Sequence, residues 1–153
     1  MGEFVRGTRL GVDVGQVRVG VAMSDPDGIL ATPLATLRRD LNAEVDAIPS
    51  DIFELARLVD AYQTVEVVVG LPVTLAGKEG PAAVQARAYA ERLGKAIAPV
   101  PVRLSDERMS TVAATRRLAE RGVRGKRQRA VVDQAAAVEI LQGWLDGQRR
   151  RAE

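Results

Sequence analysis

The sequence contains no cysteine and no histidine among its 153 residues. The lack of cysteine excludes disulfides, thiolate nucleophiles and cysteine-bound zinc or iron–sulfur sites. The lack of histidine excludes Ser-His-Asp triads and histidine-bound metals. Any catalysis must therefore rest on carboxylates, hydroxyls, lysine, arginine, backbone amides or hard cations such as Mg²⁺ or Mn²⁺ that bind oxygen ligands.

Long apolar runs are missing as well. No stretch of 18 apolar residues is present, so no segment is predicted to cross a membrane. Residues 1–6 lack the apolar segment of a signal peptide, and we expect a cytoplasmic protein with no membrane partner. The length predicts a single domain over residues 1–153, with a short basic tail at about 147–153.

Positive charge is unevenly distributed along the chain. Residues 1–115 carry 12 basic and 15 acidic side chains, whereas residues 116–153 carry 10 basic and 5 acidic ones. A basic C-terminal third fits a polyanionic partner such as nucleic acid. A solvated helical surface with an arginine-rich tail explains the same charge equally well, so charge alone does not decide between the two.

The first 40 residues are predicted to form three antiparallel strands. Residues 8–14 and 17–23 flank Gly15-Gln16, a pair that suits a two-residue type II′ hairpin turn. A third strand is expected over 29–37. Pro33 within it favours an edge position or an irregularity, because proline cannot donate a ladder hydrogen bond.

The rest of the chain alternates between helical and extended patterns. Ser50-Asp51 is expected to cap the first helix and Pro81 to begin the second. Helices are predicted over 50–62, 81–97, 110–121 and 130–145, strands over 65–71 and 100–104, and a basic loop over 122–129. The order βββαβαβαα predicts an α/β fold, with a mixed five-stranded sheet that carries helices on both faces.

Asp13 is the first candidate site residue. It stands near the end of a strand of otherwise apolar and glycine residues, a position where sites collect in such sheets. A carboxylate there is costly unless something pairs with it. If the turn is Gly15-Gln16, Arg18 lies directly across from Asp13, and a cross-strand ion pair is the alternative to a functional site.

Asp133 and Glu107 are two further candidates. Asp133 falls on the inward stripe of the last helix, in its predicted first turn, so it is either a metal ligand or an acid that compensates the helix dipole. Glu107 follows a strand and precedes a helix cap, and the alternative there is a charged surface connection. The three acids can converge at one edge of the sheet. Such a cluster suits two hard cations about 3.5–4 Å apart, which together activate water and neutralise the leaving oxygen in phosphodiester cleavage.

Four motifs of the chain resemble those of the YqgF/RuvX family, in family order and over nearly the whole length. They are Gly11-Val-Asp13-Val-Gly15 with Gly20-Val-Ala22, Val69-Gly70-Leu71-Pro72 with Gly77, Asp106-Glu107-Arg108-Met109-Ser110-Thr111, and Asp133-Gln-Ala-Ala-Ala-Val with Ile140-Leu141. The chain departs from the family at Val17, where lysine is common, and at Thr74 and Ala76, where asparagine and aspartate are common.

The resemblance implies an RNase H-like fold in which Asp13, Glu107 and Asp133 form a catalytic triad that binds Mg²⁺ or Mn²⁺. Family members are described as Holliday junction resolvases or as nucleases that mature the 5′ end of pre-16S rRNA. The partner expected from the resemblance is therefore a four-way DNA junction or precursor rRNA. Symmetric cutting of a junction would require paired active sites, and hence a homodimer.

Basic side chains close to these acids in sequence are predicted to hold the nucleic-acid backbone, through contacts that weaken as salt rises. They are Arg18, Arg116, Arg117, Arg121, Arg124, Lys126, Arg127 and Arg129. The alternative for the segment 122–129 is a solvated loop without a ligand.

Three other functions were compared with the nuclease. An actin-like ATPase begins with a similar Asp-x-Gly strand, but it needs two lobes and more than 153 residues. A non-catalytic nucleic-acid-binding module is disfavoured by the three acids, because anions repel phosphate. A partner-binding module on the same fold stays open, and loss of metal binding with intact protein binding would favour it.

Overall fold

The computed structural model describes residues 4–74, 76–106 and 126–152, and within the last range the side chains of residues 134–151. The described elements are β1 (Arg9–Val14), β2 (Arg18–Ser24), β3 (Ala31–Arg38), α1 (Ser50–Ala61), β4 (Glu66–Leu71), α2 (Pro81–Ile97), β5 (Val102–Asp106) and α3 (Lys126–Ala152). No helix in this part of the chain is long and apolar enough to cross a membrane.

The five strands form one mixed sheet in the order β3-β2-β1-β4-β5. β2 is antiparallel to β1 and β3, whereas β4 is parallel to β1 and β5. The carboxyl ends of β1, β4 and β5 therefore lie at one edge of the sheet, which we call the carboxyl edge. The predicted α/β class and mixed five-stranded sheet are confirmed. β3 is an edge strand with a register irregularity at its pairing with β2, as Pro33 predicted.

Helices cover both faces of the sheet, as predicted. The face toward α1 and α2 carries the larger apolar cluster, which includes Leu10, Val12, Val19, Val21, Leu55, Val67, Val69 and Leu93. The face toward α3 carries a second cluster, which includes Ala22, Val68, Ala136, Ala137, Ile140 and Leu141. Side chains alternate between the faces along a strand. In β1, Leu10 and Val12 thus point toward α1 and α2, while Gly11 and Asp13 point toward α3.

Helix α3 makes its closest approach to the sheet at Gly11. A Cβ placed on Gly11 would lie 2.6 Å from the Leu141 Cβ and 2.9 Å from the Ala137 carbonyl oxygen. A side chain at this position would therefore push the helix away. Further along α3, the Gln142 amide holds the start of β3, because its Oε1 accepts the Ala31 N–H at 2.8 Å.

The predicted last helix, 130–145, is too short at both ends. Apolar periodicity marks only the part that packs on the sheet, whereas α3 begins at Lys126 and ends at Ala152. The residues before 130 are lysine, arginine and glutamine, which are good helix formers although they carry no apolar stripe. Beyond 145 the Arg149 guanidinium donates to the Gly28 carbonyl oxygen at 2.8 Å, which holds the last turns against the β2–β3 loop. The predicted helix 110–121 lies outside the described residues.

One further predicted boundary and one predicted cap were wrong for reasons that involve proline. β5 begins at Val102 rather than at residue 100, because Pro101 has no N–H to donate and contributes only its carbonyl, which accepts the Val67 N–H at 3.0 Å. Pro49 takes the N-cap position of α1, and no side chain caps that helix. Asp51, predicted as part of the cap, is instead 3% exposed.

Asp51 forms a buried polar contact between α1 and α2. Its Oδ2 accepts the hydroxyl of Tyr89 at 2.6 Å, and its Oδ1 accepts the backbone N–H of Asp40 at 3.0 Å. Tyr89 is 4% exposed. Burial, followed by the hydrogen bond to Asp51, raises the pKa of Tyr89 well above that of a solvent-exposed tyrosine.

We expect Gly11→Ala to lower the free energy of unfolding by about 1–3 kcal/mol, because the added methyl group overlaps α3. Gly143→Ala is the matched control. Nothing lies within 4 Å of a Cβ at Gly143, so this change should stabilise the helix by about 0.5–1 kcal/mol. Urea denaturation followed by Trp144 fluorescence measures both changes. Wild-type stability of Gly11→Ala would contradict the contact between α3 and β1.

Tyr89 is expected to remain protonated at pH values where an exposed tyrosine ionises. Its folded pKa lies above the unfolded value of about 10, chiefly because the ring is buried and also because of the hydrogen bond to Asp51, so this contribution to stability is complete below about pH 10 and is lost progressively as the pH rises further. In a Tyr62→Phe protein, Tyr89 is the remaining tyrosine. Its phenolate absorbance should rise only together with loss of the circular dichroism of the fold. Ionisation near pH 10 in a folded protein would contradict the buried contact.

Candidate active site

Asp13 is a buried carboxylate at the carboxyl edge of the central strand. It is 4% exposed and lies one residue before the end of β1. It shares its face of the strand with Gly11, the residue that contacts α3. The carboxylate of Asp13 therefore points into the layer between the sheet and α3.

Small residues lie beside Asp13 on the neighbouring strands. Asp13 pairs with Gly20 on β2, and Gly20 pairs with Thr36 on β3. On the other side, continuing the β1–β4 register by one residue sets Gly70 beside Asp13, and Gly70 pairs with Ser105 on β5. We call these five residues the Asp13 row. Because neither adjacent strand carries a side chain in this row, the sheet leaves space beside the carboxylate.

The turn after β1 differs from the predicted one. The Gly15 N–H donates to the Arg18 carbonyl oxygen at 2.9 Å, so the two turn residues are Gln16 and Val17. Gly15 has no positive φ, which a type II′ turn at Gly15-Gln16 would require. Glycine is needed there for another reason, since a Cβ would lie 2.7 Å from the Arg18 carbonyl oxygen.

The shifted turn changes the relation between Asp13 and Arg18. The residue directly across from Asp13 is Gly20 rather than Arg18, so the predicted register was wrong by two residues. A shift of two keeps every side chain on the same face. Arg18 therefore remains on the Asp13 face, as a diagonal neighbour at a typical Cβ separation of about 7–8 Å.

Helix α3 reaches the Asp13 row just after Asp133. The Gln134 Nε2 donates to the Thr36 Oγ1 at 2.9 Å, across the layer between helix and sheet. This bond ties α3 at Gln134 to the row of strand residues that contains Asp13. Because α3 begins at Lys126, Asp133 lies about two turns inside the helix rather than in its first turn. Dipole compensation acts only within the first turn, so it no longer explains an acid at this position.

Of the three predicted acids, Asp13 is the one whose side chain the structure describes. The backbone of Asp133 is part of α3, but its side chain lies outside the described residues, as does all of Glu107. Glu107 directly follows Asp106, the exposed last residue of β5. Within the described ranges, no three acidic side chains lie close enough together to hold a metal ion.

Comparison with known sequences identifies the family. The sequence model of RuvX, described as Holliday junction resolvase, matches residues 7–147. The chain is a member of the RuvX family. The family predicted from the four motifs is thus confirmed.

Two relatives show how closely this RuvX chain matches proteins of other organisms. One from Rhodococcus erythropolis (strain PR4) is 57% identical over 145 residues, which are 95% of this chain and 81% of the relative. One from Mycobacterium sp. (strain KMS) is 58% identical over 151 residues, which are 99% of this chain and 86% of the relative. Both carry the name "Putative pre-16S rRNA nuclease".

Among solved structures, the RuvX chain is similar to RuvC of Thermus thermophilus in complex with a Holliday junction substrate. The TM-score is 0.53 at 11% sequence identity, over 94% of this chain and 96% of that chain. At this identity the similarity shows the fold alone. The fold is RNase H-like, as the resemblance implied.

The basic residues predicted to bind nucleic acid divide into two groups in this RuvX structure. Arg18 is described and lies on the Asp13 face. The predicted basic loop over 122–129 was wrong at its end, because the first turns of α3 contain Lys126, Arg127 and Arg129. The side chains of these three lie outside the described residues. The same holds for the whole of Arg116, Arg117, Arg121 and Arg124.

Sequence reasoning missed two residues of the site, Thr36 and Gln134. Gln134 stands next to Asp133 within a recognised motif, and this adjacency was the available signal. Thr36 has no such signal, because its place in the Asp13 row depends on the pairing of β2 with β3, which includes an irregularity between Val21 and Ala22.

Proposed function

We propose that this RuvX family member is a metal-dependent endonuclease that hydrolyses phosphodiester bonds in structured nucleic acid. The observation that carries the proposal is the position of Asp13. A carboxylate buried to this degree is costly unless a cation or hydrogen-bond donors compensate it. It lies at the carboxyl edge, where sites in α/β sheets collect, and the glycines on both adjacent strands leave space for a ligand beside it.

The donor chemistry supports a hard divalent cation. The chain has no cysteine or histidine, so its metal ligands are oxygen atoms, which Mg²⁺ and Mn²⁺ prefer. Asp13, Glu107 and Asp133 would hold the metal, with Gly20 and Gly70 leaving the space beside Asp13. When bound, such ions stabilise negative charge on the phosphate and make water a better nucleophile at neutral pH.

The side chains of the protein would supply substrate orientation. Arg18 lies diagonal to Asp13 on the same face of the sheet, where its guanidinium would hold a phosphate oxygen next to the carboxylate. The basic residues of 116–129 would contact the backbone further away. Since such contacts release counterions, binding should weaken steeply with salt and depend little on base sequence.

Two substrate classes follow from the comparisons. The relatives are named for pre-16S rRNA and the family for the Holliday junction. We therefore propose precursor rRNA or a four-way DNA junction as the substrate. Symmetric cutting of a junction would use a homodimer with two active sites.

We expect Asp13→Asn to reduce kcat by about 1000-fold or more, because several kcal/mol of charge stabilisation would be lost. The assay uses a labelled four-way DNA junction and a labelled precursor rRNA 5′ fragment, each with Mg²⁺ or Mn²⁺. Asp27→Asn is the control, since Asp27 is an exposed carboxylate of the β2–β3 loop and pairs with Arg6. It should cut like the wild type.

The outcomes separate the nuclease from a binding module. Metal-dependent cutting of one substrate, lost in Asp13→Asn and kept in Asp27→Asn, would support the proposal and name the substrate. Equal cutting by Asp13→Asn and the wild type would sink it. If the protein slows the migration of either substrate in a gel without cutting it, and Asp13→Asn does so equally, a non-catalytic nucleic-acid-binding module would be favoured.

A further inference from the structure

Arg39 contacts the turn that follows Asp13 in three places. Its backbone N–H donates to the Val17 carbonyl oxygen at 2.8 Å. Its Nη1 donates to the carbonyl oxygens of Gly15 at 3.1 Å and of Gln16 at 3.5 Å. One residue just beyond the end of β3 thus holds the main chain of the whole turn.

This turn needs support from outside the hairpin. Two-residue hairpin turns usually contain residues with positive φ, which match the twist of the flanking strands. Neither Gln16 nor Val17 has a positive φ. Their turn therefore matches the strand twist poorly, and the bonds from Arg39 offset this mismatch two residues after Asp13.

Arg39 is itself held by the buried contact between α1 and α2. Its guanidinium carbon lies 5.4 Å from the centre of the Tyr89 ring, within the range of a cation–π interaction. The Tyr89 hydroxyl is fixed by Asp51, and Asp51 also accepts the N–H of Asp40, the neighbour of Arg39. The contacts thus run from Arg39 through Tyr89 and Asp51 back to the neighbour of Arg39. They hold both the aromatic side chain that Arg39 contacts and the main chain next to Arg39.

Stability alone does not explain the buried contact between Asp51 and Tyr89. Apolar residues of similar volume often stabilise a core as well as a buried charged group does. Asp51 and Tyr89 have no part in the proposed chemistry, since they lie on the α1–α2 side of the sheet and Asp13 faces α3. Their connection to the active site runs through Arg39 and the turn.

We propose that Arg39 is a positioning residue for Asp13, and that Asp51 and Tyr89 hold Arg39 in place. The inference rests on the proposed role of Asp13 in metal binding. Arg39 fixes the main chain at Gly15, which limits the freedom of Asp13 two residues earlier. Groups that orient a metal ligand commonly change metal affinity or activity by about 10–100-fold when removed.

The first test compares Arg39→Ala, Arg39→Lys and Tyr89→Phe with the control Arg57→Ala. Arg57 is an exposed arginine of α1 that pairs with Glu54. Mn²⁺ affinity is measured by calorimetry, and kcat and KM are measured on the substrate that the wild type cuts. Arg39→Ala should weaken Mn²⁺ binding and lower kcat by about tenfold each, with KM for nucleic acid nearly unchanged. Arg39→Lys keeps the charge and should restore part of the loss, Tyr89→Phe should show a smaller loss, and Arg57→Ala should show none.

A second measurement is independent of metal and substrate. Amide hydrogen exchange of Gly15, whose N–H donates to the Arg18 carbonyl oxygen, should accelerate in Arg39→Ala and in Tyr89→Phe, and stay at the wild-type rate in Arg57→Ala. Tyr89→Phe keeps the aromatic packing, so it tests the inference even if Arg39→Ala does not fold.

The outcomes distinguish this inference from the proposed function. If Asp13→Asn abolishes Mn²⁺ binding but Arg39→Ala changes only the melting temperature, the positioning role is wrong and the nuclease proposal stands. A rise in KM with unchanged kcat would instead make Arg39 a phosphate contact and would also overturn the positioning role. Wild-type protein that binds no Mn²⁺ would overturn both proposals, whatever the exchange data show.

Discussion

The contact between α3 and β1 at Gly11 is the constraint on which the rest of the site depends. A Cβ at Gly11 would overlap Leu141 and the Ala137 carbonyl, so glycine lets the helix backbone lie directly on the central strand. This contact sets the distance between α3 and the sheet, while the bond from Gln134 to Thr36 sets the position of the helix along the strands. Together they bring the part of α3 that contains Gln134 to the row of strand residues that contains Asp13, although 98 residues separate Gln134 from Thr36.

The two faces of the sheet differ in their packing, since one carries most of the described apolar core and the other carries the candidate active site. The face toward α1 and α2 is filled with leucine and valine and supplies most of the described apolar core. The face toward α3 is built of smaller residues, with alanine and glycine prominent beside the sheet. Small residues bury less apolar area and therefore contribute less to stability, but they allow close approach and leave space beside a carboxylate. The candidate active site thus lies on the face that buries less apolar area.

The hairpin turn after β1 connects these two faces. Asp13 points toward α3, while Arg39 reaches the turn from the side of Tyr89 and Asp51. A strand residue cannot change its position without moving the turn next to it, so contacts on one face restrain a side chain on the other. The similarity in fold to RuvC at 11% identity shows that the architecture itself requires few particular residues.

The sequence by itself determined the order of the described elements, the faces they bury and the family, because periodicity, proline positions and motifs are local properties. The bounds of α2 and the edge position of β3 are confirmed, and the four motifs led to the RuvX family. Only the tertiary structure decided the turn at Gln16-Val17, the partner of Asp13, the ends of α3 and the places of Thr36 and Gln134 in the site. Each of these depends on contacts between residues far apart in sequence: Arg39 against the turn, Arg149 against Gly28, and Gln134 against Thr36. Local patterns contain no information about such contacts, so only the folded chain reveals them.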